Sequence, residues 1–316
     1  MKKFLKMSAL LTLCAAANFI HGEKVSHRFL KSGWNSGGPG IYDENFKAVW
    51  SKADNSETSD AWYLPDGGVV YSFCTRGKKA ASGVIRLDKN KKEMWRYNCP
   101  DGNTNHSCQP LPSKGFLLGE SNKNGMWIVE IDQNGKEAKR IKVADSCKDK
   151  FHGFRQVRKT KEGTYLGTNM KLATGYEWDA SGKQIRTFPH ALFVAIRLPN
   201  GNTLVSTAHA AKGHGIVIEY DKAGKVVWEV TEADLKKLGI KTIMSCGLHR
   251  LPNGNTVITS AKHGKPVGDG DQVKAYEITR DKKLVWSIPS KTDKKNMGNI
   301  QILDDKGDVY KLEVLK

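Results

Sequence analysis

The sequence contains two nearly identical stretches that decide the fold, IRLPNGNTLVST from Ile196 to Thr207 and HRLPNGNTVITS from His249 to Ser260. Each has an extended run, a turn in which Pro, Asn and Gly adopt the backbone angles of a tight reversal, and a second run rich in Thr, Val and Ile. Both stretches therefore predict a β-hairpin. Weaker copies of this first hairpin begin at Trp62, Gln109, Gln156 and Ile300, so the chain repeats it six times.

A second hairpin alternates with the first, and its clearest copy is GIVIEYDKAGKVVWEV from Gly215. The other copies begin at Gly40, Gly83, Trp127, Thr174 and Val273. The turn glycines of the first hairpin lie 48, 48, 38, 53 and 53 residues apart, which is about the length of a four-stranded propeller blade. We therefore predict an all-β protein that forms a single six-bladed β-propeller with four-stranded antiparallel blades.

The two ends of the chain each supply part of one blade. The second-type hairpin from Gly40 to Ser51 has no first-type hairpin before it, and no second-type hairpin follows the first-type copy at Ile300. We therefore expect both termini to complete the last blade, with two strands from each end. This pairing would close the ring.

The first residues are typical of a signal peptide. Three lysines among the first six residues precede an apolar run from Met7 to Ala17, which is too short to span a bilayer. We expect a signal peptide over residues 1–22, with cleavage near residues 17–22, and the propeller over residues 23–316. The mature protein would then be periplasmic or extracellular, without an integral membrane segment.

The formal net charge of +18 favours a polyanionic partner. For an exported protein we expect an anionic glycan or glycoprotein. Nucleic acid ranks third, because a nucleic-acid surface needs aromatic side chains among the basic ones, whereas most of the tryptophans occupy fixed positions in the repeat. Those positions are more typical of packing between blades.

Five cysteines follow the signal peptide, and none of them has the CxxC spacing of a zinc knuckle or a redox dithiol. An odd number leaves at least one thiol without a partner in the chain. Two disulfides are possible in an oxidising compartment, but the sequence does not determine which residues pair. The five are Cys74, Cys99, Cys108, Cys147 and Cys246.

A four-stranded blade, with strands a to d from the channel outwards, separates two faces of the ring. The a–b and c–d turns share one face, which we call the turn face. The b–c loops and the d–a crossovers share the other, which we call the loop face and where we expect binding chemistry. Every c–d turn carries a lysine, and we interpret this ring as scaffold because it accompanies turn-forming Asp residues. The lysines are Lys47, Lys92, Lys136, Lys183, Lys225 and Lys283.

Seven of the nine histidines fall on crossovers, inner strands or b–c loops, where they would gather near the mouth of the central channel. Histidine suits proton transfer near neutral pH. The candidates for catalysis are His106, His152, His190, His249 and Glu120. The candidates for ligand binding are Arg76, Lys123, Arg155, His209, His214 and His263. Their spacing matches neither HExxH nor HxH, so we predict no metal site.

The hairpins RLPNGNTL and RLPNGNTV resemble those of secreted bacterial propellers of the PQQ-like and arylsulfotransferase-like repeat families, over essentially the whole mature chain. The true PQQ enzymes have eight blades and adjacent cysteines, which differ from this sequence, so we predict no PQQ and no other cofactor. The arylsulfotransferases use a channel histidine as sulfuryl acceptor, and the resemblance implies His190, His249 and Arg155 as analogues. The His and Asp that commonly precede the hairpin in that family are absent here, so sulfuryl transfer ranks below the other activities.

Two functional hypotheses remain open, and the sequence does not decide whether the protein is an enzyme. The first is a monomeric binding module that holds an acidic or sulfated glycan, or a mucin-type glycoprotein, at the loop face. The second is a His-dependent hydrolase, lyase or sulfotransferase that acts on such a ligand at the channel mouth. Convergence of the four candidate histidines around Arg155 or Glu120 would favour the enzyme.

Overall fold

A computed structural model of the chain describes residues 25–34, 38–53, 56–77, 80–100, 102–147, 149, 151–207, 215–241, 244–260, 273–292 and 296–316. Its strands form six antiparallel sheets, and the innermost strands of successive sheets contact one another around a central channel. The predicted six-bladed β-propeller is therefore confirmed. The signal-peptide prediction falls on residues 1–22, outside the described residues.

The first three blades follow one another along the chain, and their strands are given from the channel outwards. Blade 1 contains β4 (Ala61–Tyr63), β5 (Val69–Cys74), β6 (Ser82–Leu87) and β7 (Glu93–Asn98). Blade 2 contains a split inner strand, β8 (Thr104–Asn105) and β9 (Gln109–Pro110), then β10 (Phe116–Asn122), β11 (Gly125–Ile131) and β12 (Glu137–Ala144). Blade 3 contains β13 (Phe154–Lys159), β14 (Tyr165–Asn169), β15 (Thr174–Trp178) and β16 (Gln184–Pro189).

The remaining blades have the same order of strands. Blade 4 contains β17 (Ala195–Arg197), β18 (Thr203–Ser206), β19 (Val217–Tyr220) and β20 (Val226–Val230). Blade 5 contains β21 (Leu248–Arg250), β22 (Thr256–Thr259), β23 (Val273–Ile278) and β24 (Leu284–Pro289). Blade 6 contains β25 (Asn299–Ile302), β1 (Phe29–Ser32), β2 (Gly40–Tyr42) and β3 (Ala48–Ser51). A short helix, α1 (Glu232–Lys237), lies in a crossover, and 3₁₀ turns cover Ser290–Thr292 and Val309–Lys311.

Blade 6 is completed by both ends of the chain, but the division of strands differs from the prediction. The C-terminal end contributes only the inner strand β25, and the N-terminal end contributes the other three. Strand β1 pairs with both β25 and β2, and its Phe29 ring stacks on Tyr42. The expected split of two strands from each end is therefore wrong. The segment HRFLKS, which contains β1, is too short to show the repeat in sequence.

The segment after β25, residues 303–316, which we call the tail, enters the central channel from the turn face. Its Leu315 carbonyl accepts a hydrogen bond from the backbone N–H of Arg250 in blade 5. The Lys316 ammonium is fully buried, 3.1 Å from the Asp60 carboxylate and 2.7 Å from the Asn299 side-chain oxygen. The tail therefore occupies the place where a second strand was expected to begin.

Outer-strand side chains join neighbouring blades, as the repeat predicts. The indole N–H of Trp95 donates to the Gln133 carbonyl in the next blade, and that of Trp228 donates to the Arg280 carbonyl. Lys139 stands at the equivalent position in blade 2, and its ammonium donates to Ala180 in the turn of blade 3. The position therefore serves inter-blade contact whether its residue is Trp or Lys.

The c–d turns use their first residue as the sequence predicts. Five Asp side chains each accept a hydrogen bond from the backbone N–H of the ring lysine four residues later, at 2.8–3.0 Å. In blade 5, the Thr279 hydroxyl accepts the corresponding bond from Lys283. The role of these turns is therefore conformational.

Within the described part of the chain, all five cysteines that follow residue 24 are free thiols. The two disulfides that an oxidising compartment would permit are thus absent from this structure. No helix among the described residues is long and apolar enough to cross a membrane.

Candidate functional site

The inner strands of blades 2 and 3 are irregular at the ends that approach the loop face. In blade 2, residues 106–108 interrupt the pairing with β10 between Asn105 and Gln109. In blade 3, the register of β13 shifts between Phe154 and Val157. Such irregularities change the direction of a side chain. Here they bring His106 and Arg155 to the same group of side chains.

The centre of this group is Glu57, which binds two arginines. Arg155 lies 3.2 Å from one carboxylate oxygen and Arg76 lies 3.2 Å from the other. Arg155 is nearly buried and also donates to the Phe151 carbonyl, whereas 57% of the Arg76 side chain is exposed above the Phe151 ring. Glu57 comes from the crossover that leads into blade 1, so the group joins three blades.

The group carries more positive than negative charge. Burial alone would raise the pKa of Glu57, but the charge that His106 gains at low pH, the Arg155 charge and hydrogen bonds from Arg76 and Ser59 lower it to about 2. Glu57 is therefore ionised at neutral pH. One carboxylate then faces two guanidinium groups, which leaves one positive charge in excess.

His106 is fully buried beside Ser59 and is neutral at neutral pH. Burial, followed by the nearby charge of Arg155, lowers the pKa of His106 to about 3. Its Nδ1 lies 3.1 Å from the Ser59 hydroxyl, which also lies 3.0 Å from Glu57. The Ser59 hydroxyl donates its hydrogen bond to Glu57, so towards His106 its oxygen acts as an acceptor. The Nδ1 of His106 therefore carries the ring proton, and Nε2 carries a lone pair. Nε2 is buried without a hydrogen-bond partner among the described residues.

An apolar cluster lies on the other side of the channel mouth. Phe193, Met244 and Cys246 are buried there, and Trp34, Met170 and Leu192 pack on them, partly exposed. A gap of about 10 Å³, close to the size of one water molecule, is lined by residues from both the charged and the apolar sides. They are Trp34, Ser59, Arg155, Gln156, Phe193, Cys246 and Gly298. We call the Glu57 group and this cluster together the channel mouth.

The other catalytic candidates lie apart from one another. His152 bonds Asp149 at 2.8 Å and is partly exposed, and His190 is exposed at the end of blade 3. His249 is buried nearer the turn face, where its Nε2–H donates to Asp305 at 2.9 Å and its Nδ1 accepts from the Ile302 N–H. The four candidate histidines therefore do not converge on Arg155.

Glu120 lies away from the channel mouth. It is fully buried between blades, accepting from Tyr97 at 2.8 Å and Asn103 at 2.7 Å and pairing with Arg140 at 3.0 Å. A catalytic role for Glu120 stays a prediction, and the geometry matches an inter-blade ion pair. Lys123 is exposed in the β10–β11 turn. The candidates His209, His214 and His263 lie outside the described residues.

Sequence reasoning missed Glu57 and Ser59. Six residues occupy equivalent places, each four residues before the last residue of its inner strand. They are Ser59, His106, Arg155, Phe193, Cys246 and Gly298. Alignment of the inner strands on their ends would have revealed this ring of positions and, with it, Ser59. Within the described part of the chain, no three His, Cys, Asp or Glu residues lie close enough together to hold a metal ion.

Comparisons with known proteins establish the propeller fold. A protein of unknown function from Bacteroides caccae is 20% identical, with a TM-score of 0.74 over 87% of this chain and 98% of that one. The calcium-binding protein regucalcin from Agrobacterium tumefaciens is 11% identical, with a TM-score of 0.54 over 77% and 81% of the two chains. Virginiamycin B lyase from Staphylococcus aureus is 11% identical, with a TM-score of 0.52 over 84% of each chain.

No family model matches the chain, and no curated protein matches it. At these identities the structural likenesses concern the fold alone. The resemblance to PQQ-like and arylsulfotransferase-like repeats therefore stays a prediction at the family level, within a confirmed β-propeller architecture.

Proposed function

We propose that the channel mouth binds an anionic extracellular ligand that also has an apolar face, such as an acidic or sulfated glycan or the glycoprotein that bears it. The observation that carries the proposal is the pairing of two arginines with one carboxylate. A sulfate or carboxylate of the ligand would take the place of the missing second anion. Arg76 is the side chain that reaches it, because it is more than half exposed.

The apolar side of the mouth supports the same class of ligand. A sugar ring has an apolar face, and aromatic side chains bind such faces while charged groups fix the orientation. Trp34 is partly exposed beside the buried Phe193 and lies with Arg155 around the gap in the mouth. A ligand with a charged group and a ring would therefore contact both sides at once.

The alternative, a His-dependent enzyme, is supported by one feature. The Nε2 lone pair of His106 has no hydrogen-bond partner among the described residues, and its Nδ1–H is fixed by Ser59, as a general base requires. Against it, His106 is fully buried, while His152 bonds Asp149 and His249 bonds Asp305 instead of joining His106 in one constellation. We therefore rank the binding module first. Export and a monomeric state stay part of this proposal.

The proposal is tested with purified protein and matched sugars. We expect sialyllactose and a heparin-derived tetrasaccharide to bind in isothermal titration calorimetry, whereas neutral lactose does not. We expect the affinity to fall at least about fivefold between 50 and 500 mM NaCl, because salt screens exposed charges. Equal binding of lactose and sialyllactose, or affinity that is independent of salt, would contradict the proposal. Release of a product during the titration would support the enzyme instead.

A further inference from the structure

A cavity of about 800 Å³ lies at the turn face, on the side of the ring away from the channel mouth. Its walls are the a–b turns of blades 3, 4 and 5, and the tail from Leu312 to Lys316 forms another wall. Pockets of this volume hold ligands of the size of organic metabolites and drugs. The tail, which does not form the expected strand, thus shapes a cavity between itself and the ring.

The lining of the cavity is cationic. Six Lys or Arg side chains line it, against the two side-chain carboxylates of Glu162 and Glu313. The six are Arg158, Lys159, Lys161, Arg197, Arg250 and Lys316. Several of these cations pair with carboxylates that do not line the cavity, such as Glu177 for Arg197 and Glu219 for Arg250. Those carboxylates reduce the charge without offering an acceptor to the cavity.

Arg250 is the least satisfied of the buried cations in this lining. Its side chain is only 10% exposed, and its contact with Glu219 is long, at 3.4 Å. Its Nε is buried without a hydrogen-bond partner among the described residues. Burial lowers the pKa of Arg250, in spite of Glu219, as expected for a cation that lacks a close anion. A buried guanidinium with one long contact and one donor without an acceptor is not fully compensated by the protein, so an anion at its accessible edge would stabilise it.

The remaining lining is apolar and comes from the same turns and from the tail. Ile196 and Leu198 of blade 4, Leu251 of blade 5, and Val314 and Leu315 of the tail all contribute. The cavity therefore combines a cationic donor with an apolar surface.

We propose that the turn-face cavity is a second binding site, for an organic monoanion with an apolar body, such as an alkyl or aryl carboxylate or sulfonate. The anionic head would accept from Arg250, and the body would pack against Leu198, Leu251 and Leu315. This site is separate from the channel mouth in position and in ligand size, so either can fail without the other.

The test uses the aryl sulfonate 8-anilinonaphthalene-1-sulfonate, whose fluorescence rises in apolar surroundings, with the full chain. We expect saturable binding at one site, displaced by decanoate but not by 1-decanol, which has the same chain without the charge. Sulfate alone should not displace it, because it lacks the apolar body. Displacement by decanol as good as by decanoate would overturn the anionic part of the proposal.

A matched pair of variants assigns the site. Arg250 and Arg280 both pair with Glu219 and both lie over the Trp228 ring, but only Arg250 lines the cavity. We expect Arg250→Gln to weaken binding of the sulfonate about tenfold and Arg280→Gln to leave it within twofold. Equal losses in both variants, or no loss in either, would overturn the assignment.

If Arg250→Gln does not fold, a substitution at the exposed edge of the cavity provides the test instead. Lys161 is exposed at the cavity edge, and Lys183 is an exposed turn lysine that does not line the cavity. We expect Lys161→Glu to weaken binding of the sulfonate about threefold or more, whereas Lys183→Glu leaves its binding unchanged. The same affinity in both variants would contradict the proposal.

Discussion

The two halves of the propeller ring differ at the channel mouth although their blades share one architecture. In blades 1 to 3, the equivalent inner-strand positions hold Ser59, His106 and Arg155, whereas in blades 4 to 6 they hold Phe193, Cys246 and Gly298. The polar half also contains Glu57 and the bulged strands, and the apolar half contains the Phe193 cluster. The repeat therefore supplies the scaffold, and the departures from it create a mouth with one charged and one apolar side.

The polar half continues into the channel at Asp60, one residue after Ser59. Its carboxylate accepts from Arg158 at 2.9 Å, from Lys316 at 3.1 Å and from Asn299 at 3.3 Å. Burial alone would raise the pKa of Asp60, but the charges of Arg158 and Lys316 lower it. This carboxylate therefore joins three blades and the tail.

Asp60→Asn has the largest expected effect. It leaves two buried cations without their anion, so we expect the free energy of unfolding in urea to fall by about 3–5 kcal/mol. The control Asp145→Asn removes an exposed carboxylate that pairs with Lys142, and it should change stability by less than about 0.5 kcal/mol. A loss below about 1 kcal/mol for Asp60→Asn would show that the polar half does not depend on this carboxylate.

His106, in the polar half, makes the free energy of unfolding depend on pH. Its pKa falls from 6.5 to about 3 on folding, so the unfolded chain binds more protons between these values. The contribution of His106 to stability is therefore complete above about pH 6.5 and is lost as the pH falls towards 3. By pH 4 we expect a loss of roughly 2–4 kcal/mol from this residue.

The variant His106→Gln isolates this contribution, because glutamine does not titrate. We expect its unfolding free energy to depend less on pH between 6.5 and 4 than that of the parent protein, as measured by urea titrations across the range. The exposed His190 is the control for the replacement of a histidine, and His190→Asn suits its left-handed backbone. An unchanged profile in His106→Gln would exclude a buried neutral histidine.

The apolar half has the smallest expected effect. Cys246 is buried in it, and burial raises the pKa of its thiol. We expect Cys246→Ser to cost about 1–2 kcal/mol, because its hydroxyl would enter an apolar cluster, and Cys246→Ala to cost less. If serine is tolerated better than alanine, the two halves of the mouth are not as different as their residues indicate.

The sequence predicted the parts of the fold that each blade repeats. Three repeated features act locally or between adjacent blades, so their spacing in the sequence was enough to predict their roles. They are the LPNGN turns, the Asp residues of the c–d turns and the outer-strand tryptophans. Strand β1 was missed, since Phe29–Ser32 has no repeat signature. Arg155 was predicted in the site, whereas Glu57 was not, because its buried partner Arg155 comes from blade 3 and reaches it only across the folded ring. The turn-face cavity depends on the path of the tail, which no local pattern indicates.

The central claim is that excess positive charge at the channel mouth binds an anionic ligand, and a matched arginine pair tests it most directly. Arg76 pairs with Glu57 at 3.2 Å and lies over Phe151, while Arg96 on the outer strand pairs with Glu93 at 2.9 Å and lies over Phe73. The measurement is the affinity for the heparin-derived tetrasaccharide at 50 mM NaCl. We predict about a tenfold loss for Arg76→Gln and less than a twofold change for Arg96→Gln. Equal affinities for the two variants would contradict the claim.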